Sequence, residues 1–254
     1  MKKLYIYSVI LVSILALTLF SCAKKPNNYK HEKERIKKEK SNQNGESITD
    51  DSIVEETENW TDYFLSELDE ANYLSHEEKM VIVEANKCRT NPRRYAEEVL
   101  TPFLNSISDD NIFIYHGQRI QLTEGKSAVL EAIEELEKSS PCSALLPDEN
   151  CHKAAVYHND DQGPKGTVGH NGTKGDTPSD RLRRFNSESI GCSECISYGY
   201  NEGEYIMIQL IVDDGVKSRG HRKGMMNKDI KLIGPAIGNH KKFGFMCTVD
   251  CTFN

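Results

Sequence analysis

Residues 23–69 are almost entirely polar. A stretch so poor in aromatic and branched side chains buries too little apolar area to offset the entropy of ordering it. Any core must therefore come from the rest of the chain. The charges inside the stretch are sorted. Residues 23–40 hold eight Lys or Arg against three Glu, and residues 41–70 hold ten acidic side chains and no basic one. The basic half suits anionic headgroups and the acidic half is repelled by them. A plain solvated spacer also accounts for the same order. Trp60, Tyr63, Phe64, Leu65 and Leu68 suit a short helix that docks on the neighbouring domain. Otherwise the domain is expected to start near Tyr73, and a chain beginning near Asn72 to fold alone.

In front of the polar stretch, Lys2 and Lys3 precede an apolar run from Leu4 to Phe20. Seventeen residues are marginal for a bilayer, which takes about 20. A positive start, a short apolar run and the small residue Ser21 before Cys22 read as an export signal. A Cys at that point resembles a bacterial lipobox, with Cys22 lipidated as the first mature residue. The organisation read from sequence is thus a signal at 1–21, a lipidated Cys and disordered tether at 22–70, and a domain at 71–254. The protein is expected outside the cytoplasm, lipid-anchored to a bacterial membrane or cell surface. A net charge of −7 with no long basic stripe argues against nucleic acid as a partner.

Within the domain, Ser75 followed by Glu78 is a capping box, and Val81, Ala85 and Cys88 share one helical face. Asn91-Pro92 ends that helix and Pro92 starts the next. Residues 112–115 suggest a short strand, 126–138 a helix with an acidic outer face, and 148–160 another helix. Five glycines between residues 163 and 176 mark a loop, and Thr177-Pro178-Ser179-Asp180 starts a further helix. Residues 205–212 fit either a helix or a strand. Phe243, Phe245, Cys247, Val249, Cys251 and Phe253 alternate with Gly244, Met246, Thr248, Asp250 and Thr252, as in a strand with one buried face.

Several segments in order give the pattern a family likeness: Glu84-Ala85-Asn86-Lys87-Cys88-Arg89-Thr90-Asn91-Pro92, Gly169-His170-Asn171-Gly172, Ser193-Glu194-Cys195-Ile196-Ser197-Tyr198-Gly199, and Asp213-Asp214-Gly215 through Gly220-His221-Arg222. Together they resemble the CAP superfamily (cysteine-rich secretory, antigen 5 and pathogenesis-related proteins) in its bacterial SCP-domain form. That resemblance implies an α+β fold, an αβα sandwich around a small, mainly antiparallel central sheet. It also implies a cavity lined by two His and two acids. His170 and His221 match the imidazoles and Glu194 the first carboxylate, with Glu188 as a rival alignment. Asp213 or Asp214 matches the second.

Two imidazoles with a carboxylate or water make an open zinc-like shell, so His170 and His221 are candidate ligands for zinc or another divalent cation. A His–carboxylate pair is also a general base, but no marked nucleophile accompanies it. A buried polar network is the third reading of the same residues. The functional expectation is an extracellular binding module for a protein, lipid or glycan, held to the membrane by its lipid. The alternative is a protease-like, metal-dependent hydrolase using the same cavity.

If Cys22 takes lipid, seven cysteines remain, an odd number. Cys142 and Cys151 flank a short connection that a disulfide would close. Cys192 and Cys195 form a C-x-x-C whose bridge would lock the loop bearing Glu194.

Overall fold

The structure, a computed structural model, describes residues 59–253. The signal segment, Cys22 and the tether up to residue 58 lie outside the described residues. Asn59 caps the first helix, α1 (Trp60–Ser66), by accepting the Thr61 N–H at 3.2 Å. Phe64 and Leu68 are buried in the core, and the Arg94 guanidinium lies 4.1 Å over the Trp60 ring. The folded unit therefore begins near residue 60 and not at 71. Burial of a Phe or Leu side chain contributes about 1.5–3 kcal/mol, enough to anchor a short helix despite its acidic neighbours.

The Ser75–Glu78 capping box opens α2 (His76–Thr90). Glu78 also takes the Ile237 N–H at 2.9 Å, so the cap doubles as a bridge to the sheet. Residues 81 to 89 are buried all round the helix and not along a single stripe. Each polar one finds a partner inside, although one Glu84 oxygen (Oε2) and one Arg89 nitrogen (Nη2) stay without any among the described residues. Glu84 pairs with Lys87 at 2.6 Å, Asn86 exchanges hydrogen bonds with the Leu145 backbone at 3.0 and 2.7 Å, and Arg89 reaches the Ser143, Met225 and Asn227 carbonyls. The 84–90 motif is internal scaffold.

Asn91 caps α3 (Pro92–Tyr95), which continues through a π-turn at Ala96–Leu100 into α4 (Thr101–Ser106). A hairpin of β1 (Ile112–Tyr115) and β2 (Gln118–Gln121) leads to α5 (Lys126–Lys138). The remaining elements are β3 (Leu146–Pro147), α6 (Glu149–Gln162), α7 (Pro178–Arg183), β4 (Cys192–Tyr198), α8 (Gly203–Val212), α9 (Gly220–Met225), β5 (Leu232–His240) and β6 (Gly244–Thr252). The sheet order is β3-β5-β6-β4; β3 runs parallel to β5 and the other pairs are antiparallel.

This is an α+β fold, with α6 covering one face of the sheet and α2 with α8 the other. Two glycines permit the close approach of the layers. A Cβ on Gly203 would sit 2.5–2.6 Å from Met80 and Val81 atoms of α2, and one on Gly234 would sit 2.0 Å from the His152 nitrogen of α6.

The ambiguous segment 205–212 is helical. Its residues are apolar on nearly every side because α8 is buried by α2 and the sheet. Strand β6 departs from the expected one-faced burial. Thr248, Asp250 and Thr252 are as inaccessible as Cys247, Val249 and Cys251. A central strand covered by helices on both faces has no solvent side. Its polar row finds partners, for example Thr248, which donates to Asn159 of α6 at 2.7 Å.

Candidate functional site

The loop between α6 and α7 presents His170, and its backbone is fastened at three consecutive carbonyls. His158 donates from Nε2 to the Gly169 carbonyl (3.0 Å), Arg181 to that of His170 (2.9 Å), and Gln162 to that of Asn171 (2.8 Å). The Gly169 N–H donates to the Tyr198 hydroxyl at 3.1 Å. Gly169 has φ +107°, a conformation that Cβ-bearing residues seldom adopt. Burial pushes the Tyr198 phenol up to about 12, so it stays a neutral hydroxyl there.

Held this way, the His170 ring meets Glu194 of β4, with Nδ1 2.8 Å from Oε1. The carboxylate only accepts, so Nδ1 carries the proton. The other Glu194 oxygen pairs with the fully buried Arg181 of α7. The His170 side chain is 47% exposed above a Glu194 side chain that is 1% exposed. Glu188, the rival, is exposed in the turn after α7.

Asp213, not Asp214, serves the second histidine. Asp213 follows α8 in the left-handed region (φ 55°), and its carboxylate takes the His221 ring Nδ1 at 2.7 Å and the His221 N–H at 2.9 Å. Asp214 turns the other way and accepts the Thr123, Glu124 and Gly125 N–H groups at 2.6, 2.8 and 2.9 Å. It fastens the turn that leads into α5. Arg219 closes the intervening loop. It binds the Asp213 carbonyl at 2.9 Å and reaches across to Glu124 and Glu131. The Arg219 hydrogen bonds hold both glutamates below the usual carboxylate range.

Neighbouring residues of the edge strand β4 connect to the two pairs. Side chains alternate along a strand, so Glu194 faces Arg181 while Cys195 packs under the His221 carbonyl at 3.8 Å. The same alternation corrects the reading of the C-x-x-C. It lies on a strand and not in a loop, and residues three apart point to opposite faces about 10 Å apart along it, beyond disulfide reach. All seven described cysteines are free thiols, Cys142 and Cys151 included.

For a divalent cation the positions these residues leave open are the two ring Nε2 atoms. Both carboxylates are engaged at the histidine Nδ1 positions. Among the described residues no group of three or more His, Cys, Asp and Glu comes together to hold a metal ion. Each ring keeps its Nε2 without a hydrogen-bond partner among the described residues. No hydroxyl or thiol among them bonds to either imidazole.

Other histidines serve the fold. His240 donates to the Thr167 carbonyl at 2.9 Å and accepts two N–H groups of its own turn at Nδ1. His152 bonds the Pro235 carbonyl at 2.7 Å, and His116 pairs with Glu202 on the surface. Burial lowers the pKa of His158, consistent with a neutral donor to Gly169.

Sequence reading passed over Asp250, which lies directly opposite Glu194 on β6 and is fully buried. The signal was its place in a strand row taken to be solvent-facing. It also assigned no task to Arg181, although both belong to the His170 pair.

No protein-family model and no curated protein sequence matches the chain. Two solved structures are similar to it. An extracellular protein containing an SCP domain from Bacillus anthracis aligns over 51% of this chain at 19% identity, with a TM-score of 0.37. This chain spans 38% of that protein's length. An outer surface protein from Borrelia burgdorferi aligns over 52% of this chain and 95% of its own, at 19% identity with a TM-score of 0.39.

Proposed function

We propose that the chain is an exported, lipid-anchored module of the CAP type that binds an extracellular protein, lipid or glycan through its two histidine–carboxylate pairs. The observation that carries this reading is the fastening of both histidines. Each ring is locked at Nδ1 by a buried carboxylate, and the His170 loop is fixed at three successive carbonyls. Such preorganisation lowers the entropy lost on binding. A neutral imidazole held at Nδ1–H offers Nε2 as an acceptor, so the group recognised is a hydrogen-bond donor such as a hydroxyl or amide. The motif order in the sequence supports the CAP reading.

Among the described residues no helix is long and apolar enough to cross a membrane. Membrane attachment in this reading rests on lipid at Cys22. Labelling cells with radioactive palmitate tests that part. Wild type should take up label and fractionate with membranes, and Cys22→Ser should do neither. A Cys22→Ser protein that stays in the membrane fraction sinks the lipid anchor and points to the apolar segment itself. For the binding role, His170→Ala and His221→Ala on the full chain should abolish surface binding while leaving the melting transition in place.

A further inference from the structure

Beneath the His170–Glu194 pair lies a carboxyl group that the binding reading does not use. Asp250 is fully buried at the centre of β6, flanked in register by Glu194 on β4 and Gly234 on β5. The Cys192 thiol donates to its Oδ1 at 3.2 Å. Its Oδ2 is equally buried and meets no donor among the described residues. Glu194 is its directly opposed neighbour on β4, so the two carboxyl side chains share one face of the sheet. Two ionised carboxylates would repel strongly at that range, and only Arg181 is at hand to offset them. Glu194 already receives two donors, the His170 Nδ1–H and the Arg181 guanidinium. Asp250 Oδ2 receives none.

We infer that Asp250 holds a proton at neutral pH and donates it from Oδ2 to Glu194, acting as a positioning residue for His170. One proton accounts for both anomalies: the orphaned oxygen becomes a donor, and the opposed carboxyls carry one charge between them. Glu194 then accepts from three sides, which fixes its oxygens and hence the tilt and Nδ1–H tautomer of His170. The ionisable groups facing Asp250 agree with this. On β4 they are Glu194 and Cys192, on α7 Arg181, on α6 Cys151, and beside it on β6 Cys251. Only Arg181 is a cation, and Glu194 takes up its charge. Burial, then the Glu194 charge, drives the Asp250 carboxyl well above the usual carboxylate range. Burial likewise raises the three thiols, which stay neutral.

The proton's consequence for binding rests on the binding reading, whereas the proton itself can be read without any ligand. Infrared spectra of the full chain at neutral pH should contain the carbonyl band of a protonated carboxyl that is absent from Asp250→Asn. Carbon-13 labelling of aspartate in the wild type needs no variant. The Asp250 carboxyl resonance should sit at the protonated position and hold there from pH 5 to pH 8. Asp250→Asn, which keeps a donor toward Glu194, should preserve the His170 Nδ1–H tautomer, and Asp250→Val should lose it. An ionised Asp250 resonance at neutral pH overturns the inference. So does a protonated-carboxyl band that survives in Asp250→Asn and vanishes in Glu194→Gln. Loss of binding in the histidine variants with these spectra unchanged bears on the binding reading alone.

Discussion

Arg181 is where the burial of the site is most exposed to test. It is fully inaccessible, pairs with a Glu194 side chain that is 1% exposed, and also binds the His170 and Asp176 carbonyls. Arg181→Met leaves that carboxylate buried and short of a cation, and breaking one side of a buried pair costs about 3–5 kcal/mol. Urea denaturation should show that loss, and a change under about 1 kcal/mol would contradict the pairing. Asp250 predicts a pH dependence of opposite sense to an ordinary carboxylate. Its folded pKa is raised, so its contribution to stability is complete below the unfolded value of about 3.9. That contribution is lost as pH rises toward the folded value. Asp250→Asn should gain on wild type as the pH of a melting series rises from 4 to 8. A gap that shrinks over that range would contradict the assignment. The neighbouring aspartates show how far residue-level reading reaches. The family resemblance offered Asp213 and Asp214 alike as the second carboxylate. The left-handed backbone at Asp213 and the three N–H groups of residues 123–125 decide between them, and neither is visible in a local motif.

At the scale of elements, capping and periodicity made much of the helical framework readable. The Ser75 and Thr177 capping boxes and the limits of α5 and β1 follow local rules. Strand β4 did not. Cys192-Ser193-Glu194-Cys195 has no apolar alternation because its even positions face the buried Arg181–Asp250 system and its odd ones the core. Long-range pairing with β6 makes it a strand, and propensity yields to such context. For the same reason Asp250 looked solvent-facing. The register Glu194–Asp250–Gly234 exists only once three strands have assembled. Close packing gives a direct check. Gly203→Ala drives a methyl into the α2 backbone at 2.6 Å and should cost about 1–3 kcal/mol, read as a lowered melting temperature. An unchanged melting temperature would mean that α8 does not press on α2 there. Helix α1 gives another. Removing residues up to 72 strips Phe64 and Leu68 from the core and should cost about 3–6 kcal/mol by the burial of two large side chains. A truncated chain that melts within a degree or two of the parent would return α1 to the tether.

Across the whole molecule, the folded part offers two histidines prepared in the same way from different elements. Their preparation is independent. His170 depends on α6, α7 and β4, whereas His221 depends on the α8–α9 turn braced by α5 through Arg219. The resemblance placed four residues in one cavity. The structure keeps the His–acid pairing, each histidine with its own carboxylate. The measurement that bears most directly on this is long-range proton–nitrogen NMR of the full chain above the histidine titration. Both His170 and His221 should be Nδ1–H tautomers with an unprotonated Nε2, and Glu194→Gln should disturb His170 while leaving His221 unchanged. Finding Nε2–H on either ring, or both rings responding together to Glu194→Gln, would contradict two separately held imidazoles.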